Sequence, residues 1–339
     1  MVTPLDSQLA SAGATADHPR GPISMGDGAQ AAGPIHHVRA DLAGYDFSGC
    51  DLRGVDFTGA HLADAIFVEA DLTGAILDDV HAESADFSRA RLSGASLRRG
   101  HFSHARFSGA QLVDADATAA FMDEVEFVGA SVRGTVFAVA RLQATRWNEA
   151  DLTGADLRRA DLSRADLAEV TVHHARFDDA DLSGARLSRV AGFRRASWLG
   201  VDAAALDRRG ACFVHDFIED QNFLTEYRSQ GPAYEWTYRL WWLTSDCGRS
   251  VTRWGICSGV LAALFAFAYT QVGIDYGHHE TALSPLYFSV VTLTTLGFGD
   301  AVPATLAAQA IVMCEVVIGY VMLGGLLSLI SNKLSRRAS

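Results

Sequence analysis

The chain has 339 residues, long enough for two domains, and 28 basic against 40 acidic side chains give it a formal charge of -12. That average hides an asymmetry: the long N-terminal part is rich in Asp and Ala, whereas roughly the last 90 residues are mostly apolar, so a water-soluble part precedes a membrane part. The five cysteines (Cys50, Cys212, Cys247, Cys257, Cys314) are scattered, odd in number and never in a C-x-x-C pair, which points to neither a disulfide framework nor a zinc site and predicts reduced thiols. No charged segment followed by an apolar run opens the sequence, so the expectation is no signal peptide and a soluble part kept in the cytoplasm. No nucleophile-and-base set, phosphate-cradling loop or metal-ligand cluster stands out, and the reading is that the protein is not an enzyme and needs no cofactor.

Residues 1–35 mix Gly, Pro, Ser, Asp and Ala without period, too little apolar surface to offset chain entropy, and read as a disordered tail. From about Arg39 a period of five takes over, plain in Ala40-Asp41-Leu42, Ala70-Asp71-Leu72, Ala150-Asp151-Leu152 and Ala180-Asp181-Leu182. Every fifth position from Leu42 to Leu187 is large and apolar apart from Ala82 and Ala117, and the position two before it is nearly always small. A five-residue period fits neither an α-helix nor a plain strand.

This A-(D/N)-L-x-x pattern resembles the pentapeptide-repeat family. The resemblance implies a right-handed quadrilateral β-helix over residues 36–198, with four repeats per coil and the Leu/Phe and small positions pointing inward. If so, residues 20 apart stack. The column Phe47, Phe67, Phe87, Phe107, Phe127 is an aromatic ladder continued by Trp147, and Leu52, Leu72, Leu92, Leu112, Val132, Leu152, Val172 is aliphatic throughout. Roughly 30 repeats make about seven and a half coils, a rod about 36 Å long at the ~4.8 Å strand spacing. Acidic residues recur on the outer face, among them Asp46, Asp51, Asp56, Asp71, Asp86, Asp151, Asp156, Asp161 and Asp166. Arg89, Arg91, Arg98, Arg99, Arg106, Arg141, Arg158, Arg159 and Arg164 interrupt them, so mimicry of DNA and nucleic-acid partners are not expected. His61, His81 and His101, mutually 20 apart with His104 nearby, should form a column that either senses protons or is a set of exposed polar residues.

After Leu187 the period decays and helical patterns replace it over residues 199–252. Phe213, Phe217, Phe223 and Leu224 suggest a capping helix or one leg of a subunit interface. Gly231-Pro232 breaks it. Tyr234, Trp236, Tyr238, Leu240, Trp241, Trp242 and Leu243 precede Arg249 and Arg253, a composition suited to an interfacial helix leading into the membrane or to a packed aromatic cluster.

Residues 253–334 read as the membrane part, followed by a basic tail over 335–339. Trp254 to Gln271 is almost wholly apolar and uncharged, long enough at ~1.5 Å per residue to cross most of a ~30 Å bilayer core, and Ala304 to Ile330 is longer with one acid, Glu315. Cations flank the outer ends of both spans (Arg249, Arg253, Lys333, Arg336, Arg337), and the connecting segment has Asp275, Glu280 and Asp300 but no Lys or Arg. The positive-inside rule then puts both termini in the cytoplasm of a two-span cell-membrane protein. Between the spans, Ser284-Pro285 reads as a helix start, with Ser as cap and Pro in the first turn. The helix is too short to cross and runs through Thr292 and Thr294 into Thr295-Leu296-Gly297-Phe298-Gly299-Asp300. Irregular backbone at membrane depth is tolerated only where it is buried in protein or lines a water-filled cavity, so this is a re-entrant pore loop.

The order of span, short helix, Gly-alternating loop and span resembles the two-helix potassium channel family, whose loop is usually written T-V-G-Y-G-D. The resemblance implies a homotetramer in a lipid bilayer, with K⁺ the permeant ion, coordinated by the carbonyls of Thr295, Leu296, Gly297 and Phe298 and the Thr295 hydroxyl. It also implies that Gly299 permits the outer turn, that Asp300 sits at the outer mouth, that Gly319 lies at an inner-helix hinge and that Glu315 matches an inner-helix Glu of inward-rectifier type. Close helix packing is the other reading of Gly319, and Gly324 with Gly325 offers a second bend. Leu326, Leu329, Ile330 and Leu334 are candidates for a cytoplasmic constriction. The chain departs from the family in Phe298, which lacks the usual Tyr hydroxyl, in having no Trp pair in the pore helix, and in Val291, where some members carry Glu.

One pore loop per chain calls for four chains, and with no Arg-repeat helix and a chain ending soon after Ile330, regulation is expected to enter through the solenoid, by an unknown cytoplasmic protein or ligand. The alternatives are a weakly selective cation channel and a membrane-anchored interaction rod with a vestigial pore.

Overall fold

The computed structural model describes residues 37–246, 250–277, 281–294, 296 and 301–338, with side chains of residues 329 and 332–338 outside the description. The chain divides into two compact units, Met1–Thr225 and Glu226–Ser339.

The first unit is a right-handed quadrilateral β-helix. Its rungs are single parallel bridges between residues 20 apart, four to a coil, from Asp41↔His61 to Thr171↔Ala191. The segment Ala150-Asp151-Leu152-Thr153-Gly154 shows why the sequence does this. The N–H of Asp151 donates to the Ala130 carbonyl (3.0 Å) and that of Leu152 to the Thr171 carbonyl (2.8 Å), which ties the residue pair to the coils on either side. Asp151 Oδ1 then accepts the Thr153 N–H at 3.0 Å, a local bond that bends the chain. Gly154 at φ +73° completes the corner, and the Ala155 N–H closes it on the Leu152 carbonyl at 3.0 Å. Only a left-handed residue turns the chain here, which is why Gly recurs at this position. Asp, Glu and Arg adopt the same φ at Asp64, Glu69 and Arg89, where the ladder overrides the local cost.

The inward Leu/Phe and small residues are almost entirely buried and form one continuous core. Phe47, Phe67, Phe87, Phe107 and Phe127 stack at ring-centroid separations of 5.0, 4.8, 4.8 and 5.3 Å, and Trp147 continues the stack at 4.1 Å. The buried indole is satisfied by donating from Nε1 to Thr145 Oγ1 at 2.8 Å. On the outside, one column alternates in sign as Asp86, Arg106, Glu126, Arg146, Asp166, Arg186, Asp207, each following the last across one coil. Arg146 lies 2.8 Å from Glu126 and Arg186 3.1 Å from Asp166. The arginines thus cancel the acid rung by rung.

The ladder extends past the point where the five-residue period fades. Arg176 pairs with Ser197 and Arg186 with Asp207, 21 residues on rather than 20, because the 3-10 turn Phe193–Arg195 adds a residue without breaking the coil. Helix α1, Cys212–Ser229, closes the end of the rod. It buries Val214 and Ile218 in the solenoid core. Its Gln221 accepts the Trp198 N–H (2.8 Å), and Asn222 accepts from Gly200 (3.0 Å) and donates to the Val201 carbonyl (2.9 Å). These bonds satisfy backbone groups that an open coil would present to solvent, as a solenoid cap must.

The second unit is helical. Helix α2, Pro232–Ser245, carries Trp236, Leu240, Trp241, Trp242 and Leu243 exposed. Helix α3, Val251–Tyr269, starts under a Ser250 cap whose hydroxyl accepts the Arg253 N–H at 3.1 Å. The short α4, Ser284–Leu293, lies between α3 and α5, Leu306–Ala338, and packs on both. The two-residue strands β1, Ile274–Asp275, and β2, Val302–Pro303, pair antiparallel and draw together the chain leaving α3 and the chain entering α5.

Candidate pore and its supporting contacts

The windows Val251–Tyr269 and Leu306–Ser328 are long and apolar enough to cross a membrane, and only 11% of each is buried. Ile256, Val260, Leu264 and Phe267 on α3, and Met313, Val317, Tyr320 and Val321 on α5, are all exposed. In water, apolar faces this extensive would be covered, so they suit lipid or neighbouring subunits. The start of α4 differs slightly from the sequence reading. Leu283 is the N-cap and Ser284 lies in the first turn, its hydroxyl accepting the Thr281 N–H at 2.8 Å, because Pro285 fills the next helical position.

At its far end, α4 leads into the expected filter. Thr294 Oγ1 donates to the Val290 carbonyl at 2.7 Å, and the Leu296 N–H returns to the Val291 carbonyl at 3.0 Å. Thr292 is buried and Leu296 exposed. Thr295, Gly297, Phe298, Gly299 and Asp300 lie outside the described residues.

Glu315 is fully buried and is held from two directions. Tyr269 Oη donates to its Oε2 and Ser289 Oγ donates to its Oε1. The three residues sit at the end of α3, in the middle of α4 and on α5, so one carboxylate ties the pore helix to both spans. An intramembrane acid needs such partners. The sequence flagged Glu315 but not Tyr269 or Ser289; hydroxyl residues inside otherwise apolar runs were the available signal. Phe288 adds an edge-on ring contact to Tyr269, with centroids 5.1 Å apart.

Gly319 lies one turn further along α5, where a Cβ would meet the Leu293 carbonyl oxygen at 2.5 Å. Helix α5 runs unbroken through it. Gly325 is similarly crowded, by the Trp254 ring at 2.5 Å, whereas Gly324 faces open space. Leu326 is half-buried and Ile330 exposed, and the side chains of Leu329 and Leu334 lie outside the described residues.

On the solenoid, the structure brings His61, His81 and His101 into one stacked column, with centroids 5.3 and 4.9 Å apart. His104 stands apart from the stack, its Nδ1 3.5 Å from Glu124.

Residues 246–336 match the family described as Ion channel. Pentapeptide repeats match in eight copies within 40–79 and 85–184. The chain joins a pentapeptide-repeat solenoid to an ion channel domain. Over 83 residues it is 35% identical to the Two pore potassium channel c of Oryza sativa subsp. japonica, a match covering 20% of this chain and 18% of that protein. The chain thus spans about a fifth of the length of the curated relative it matches. Among solved structures, HetL, a pentapeptide repeat protein involved in heterocyst differentiation regulation in the cyanobacterium Nostoc, is 29% identical over 49% of this chain and 75% of its own, with a TM-score of 0.33. QnrB1, a plasmid-mediated fluoroquinolone resistance protein, is 21% identical over 55% of this chain and 94% of its own, with a TM-score of 0.46. The ion channel and pentapeptide-repeat families are non-enzymatic kinds, and the channel domain supplies the two apolar helices of a membrane protein.

Proposed function

We propose that four copies of this chain form a K⁺-selective pore whose filter is Thr295-Leu296-Gly297-Phe298-Gly299-Asp300. The observation that carries this reading is the short apolar helix α4, set between two spanning helices and tied to both through Glu315. A helix ending at membrane depth directs the negative end of its dipole toward the pore axis, which favours a cation there. Backbone carbonyls of residues 295–298, contributed by four chains, would replace the hydration shell of K⁺. Because selectivity of this kind rests on backbone, Leu296 and Phe298 in place of Val and Tyr leave it intact. The lost Tyr hydroxyl removes one anchor of the loop, and the hydroxyl–carboxylate tie through Glu315 supports the pore helix by another route.

The charge distribution favours both termini on the cytoplasmic side, with the solenoid there and the filter mouth outside. The solenoid then acts as the regulatory or scaffolding part, linked to the pore by α2. Channel protein reconstituted in planar bilayers tests the reading: K⁺ currents that persist when Na⁺ replaces K⁺ on one side only, reversing near the K⁺ equilibrium potential, support it. Tetramers that pass no current would instead favour the membrane-anchored rod.

A further inference from the structure

Two clusters of ligating side chains stand out among the described residues, His81 with Glu83 and His101, and His215 with Asp216 and Glu219. The second is compromised by a cation. His215 is buried and its Nε2 faces Arg208 Nη2 at 3.0 Å, so a guanidinium occupies a lone pair that a metal would need. In the first, His81 Nδ1 lies 3.6 Å from Glu83 Oε1. One ligand atom from each of His81, Glu83 and His101 lies within 4.8 Å of the other two.

The backbone imposes this juxtaposition. His81 and His101 face each other across a parallel bridge, and the Ala82 N–H donates to the His101 carbonyl at 2.7 Å. Their rings stack at 4.9 Å with 13° between planes. His61 closes the stack on one side at 5.3 Å and Phe121 on the other at 4.6 Å. Glu83 comes from the corner that follows His81 and is half-exposed beside it.

We propose that His81, Glu83 and His101 form a site for a zinc-class divalent transition metal on the outer face of the solenoid. Imidazole with carboxylate suits Zn²⁺ and its neighbours, whereas two nitrogen ligands disfavour Mg²⁺ and Ca²⁺, which take oxygen. Three protein ligands leave the fourth position of a tetrahedral ion to water. Neighbouring ligands of such an ion lie about 3.3 Å apart, as Zn–N of about 2.05 Å and a tetrahedral angle require. Binding would require the surface side chains to turn about χ1 and χ2 out of their parallel stack, while the ladder holds their backbones in register. The ion then clamps two successive coils, which links metal occupancy to the stability of that stretch of the rod.

The test uses the full-length protein in detergent, carrying no polyhistidine tag, titrated calorimetrically with ZnCl₂. One Zn²⁺ per chain is expected, with affinity at least tenfold weaker in the double variant His81→Gln with His101→Gln and at least threefold weaker in Glu83→Gln. Glu219→Gln, in the other cluster, should bind like the parent. All of these side chains are at the surface, and circular dichroism without metal checks that the variants fold. ZnCl₂ should also raise the apparent melting temperature of the parent but not of the double variant. Equal affinity in parent and double variant, no uptake by the parent, or an equal response to MgCl₂ overturns the proposal.

Discussion

At the scale of single residues, the channel domain depends on how Glu315 and Gly319 fit against α4. Removing either hydroxyl, by Tyr269→Phe or Ser289→Ala, leaves one oxygen of a fully buried carboxylate without its donor. Each change is expected to destabilise the assembled channel by about 1–2 kcal/mol, with strong coupling between them because they share one acceptor. A double-mutant cycle read by thermal dissociation of the assembly checks this; additive losses would contradict it. Gly319→Ala adds a methyl 2.5 Å from the Leu293 carbonyl, whereas Gly324→Ala adds one into open space. The first is expected to cut current more than tenfold at unchanged assembly, the second to leave it within twofold. Single-channel recording of both variants in one bilayer system separates packing from hinge bending. If Gly319 served mainly as a hinge, the longer Gly319→Val should be no worse than Gly319→Ala.

Among the elements, the solenoid's aromatic stack carries packing and its acidic corners carry register. Phe107 sits fully buried between Phe87 and Phe127, so Phe107→Ala opens a cavity its neighbours cannot fill and should cost about 3–5 kcal/mol in denaturant unfolding. The corners make a pH prediction. Arg158 grips Asp156 through Nε and Nη2 at 2.8 and 2.6 Å and holds its carboxyl below the usual range; Arg53 does the same to Asp51. A carboxyl whose folded-state pKa is depressed contributes stability that is fully present above its unfolded pKa of about 4 and is lost as pH falls through the folded value. These carboxyls should therefore contribute their full stabilisation at pH 6 and 7 and lose it below pH 4, and Asp156→Asn should flatten that fall while lowering stability at pH 7. Equilibrium unfolding followed by circular dichroism at each pH measures both.

Much of the fold was legible in the sequence because a short period leaves few geometries: with Leu42 and its successors five apart, and Phe47, Phe67 and Phe87 stacked at twenty, inward and outward positions followed. The last coil was not legible, since the added residue at Phe193–Arg195 shifts the pairing of Arg176 to Ser197 and hides the repeat without breaking the ladder. In the channel domain, spans and pore helix showed through length and hydropathy, and Glu315 through its cost in an apolar segment. Its partners did not, because which faces of α3 and α4 meet α5 depends on helix packing, not on spacing along the chain. Glu83 escaped for the same kind of reason. Only the coil geometry puts residues 81, 83 and 101 side by side.

For the whole molecule, one chain joins a pentapeptide-repeat solenoid to an ion channel domain whose apolar helix faces are exposed, as lipid and the further copies of the proposed assembly would require. The proposed K⁺ selectivity is tested most directly by the reversal potential of purified channels in a planar bilayer with K⁺ on one side and Na⁺ on the other. Reversal shifted strongly toward the K⁺ equilibrium potential, and abolished by Gly297→Ala with assembly retained, is the predicted result. Reversal near zero, with Na⁺ and K⁺ carried alike, would contradict it.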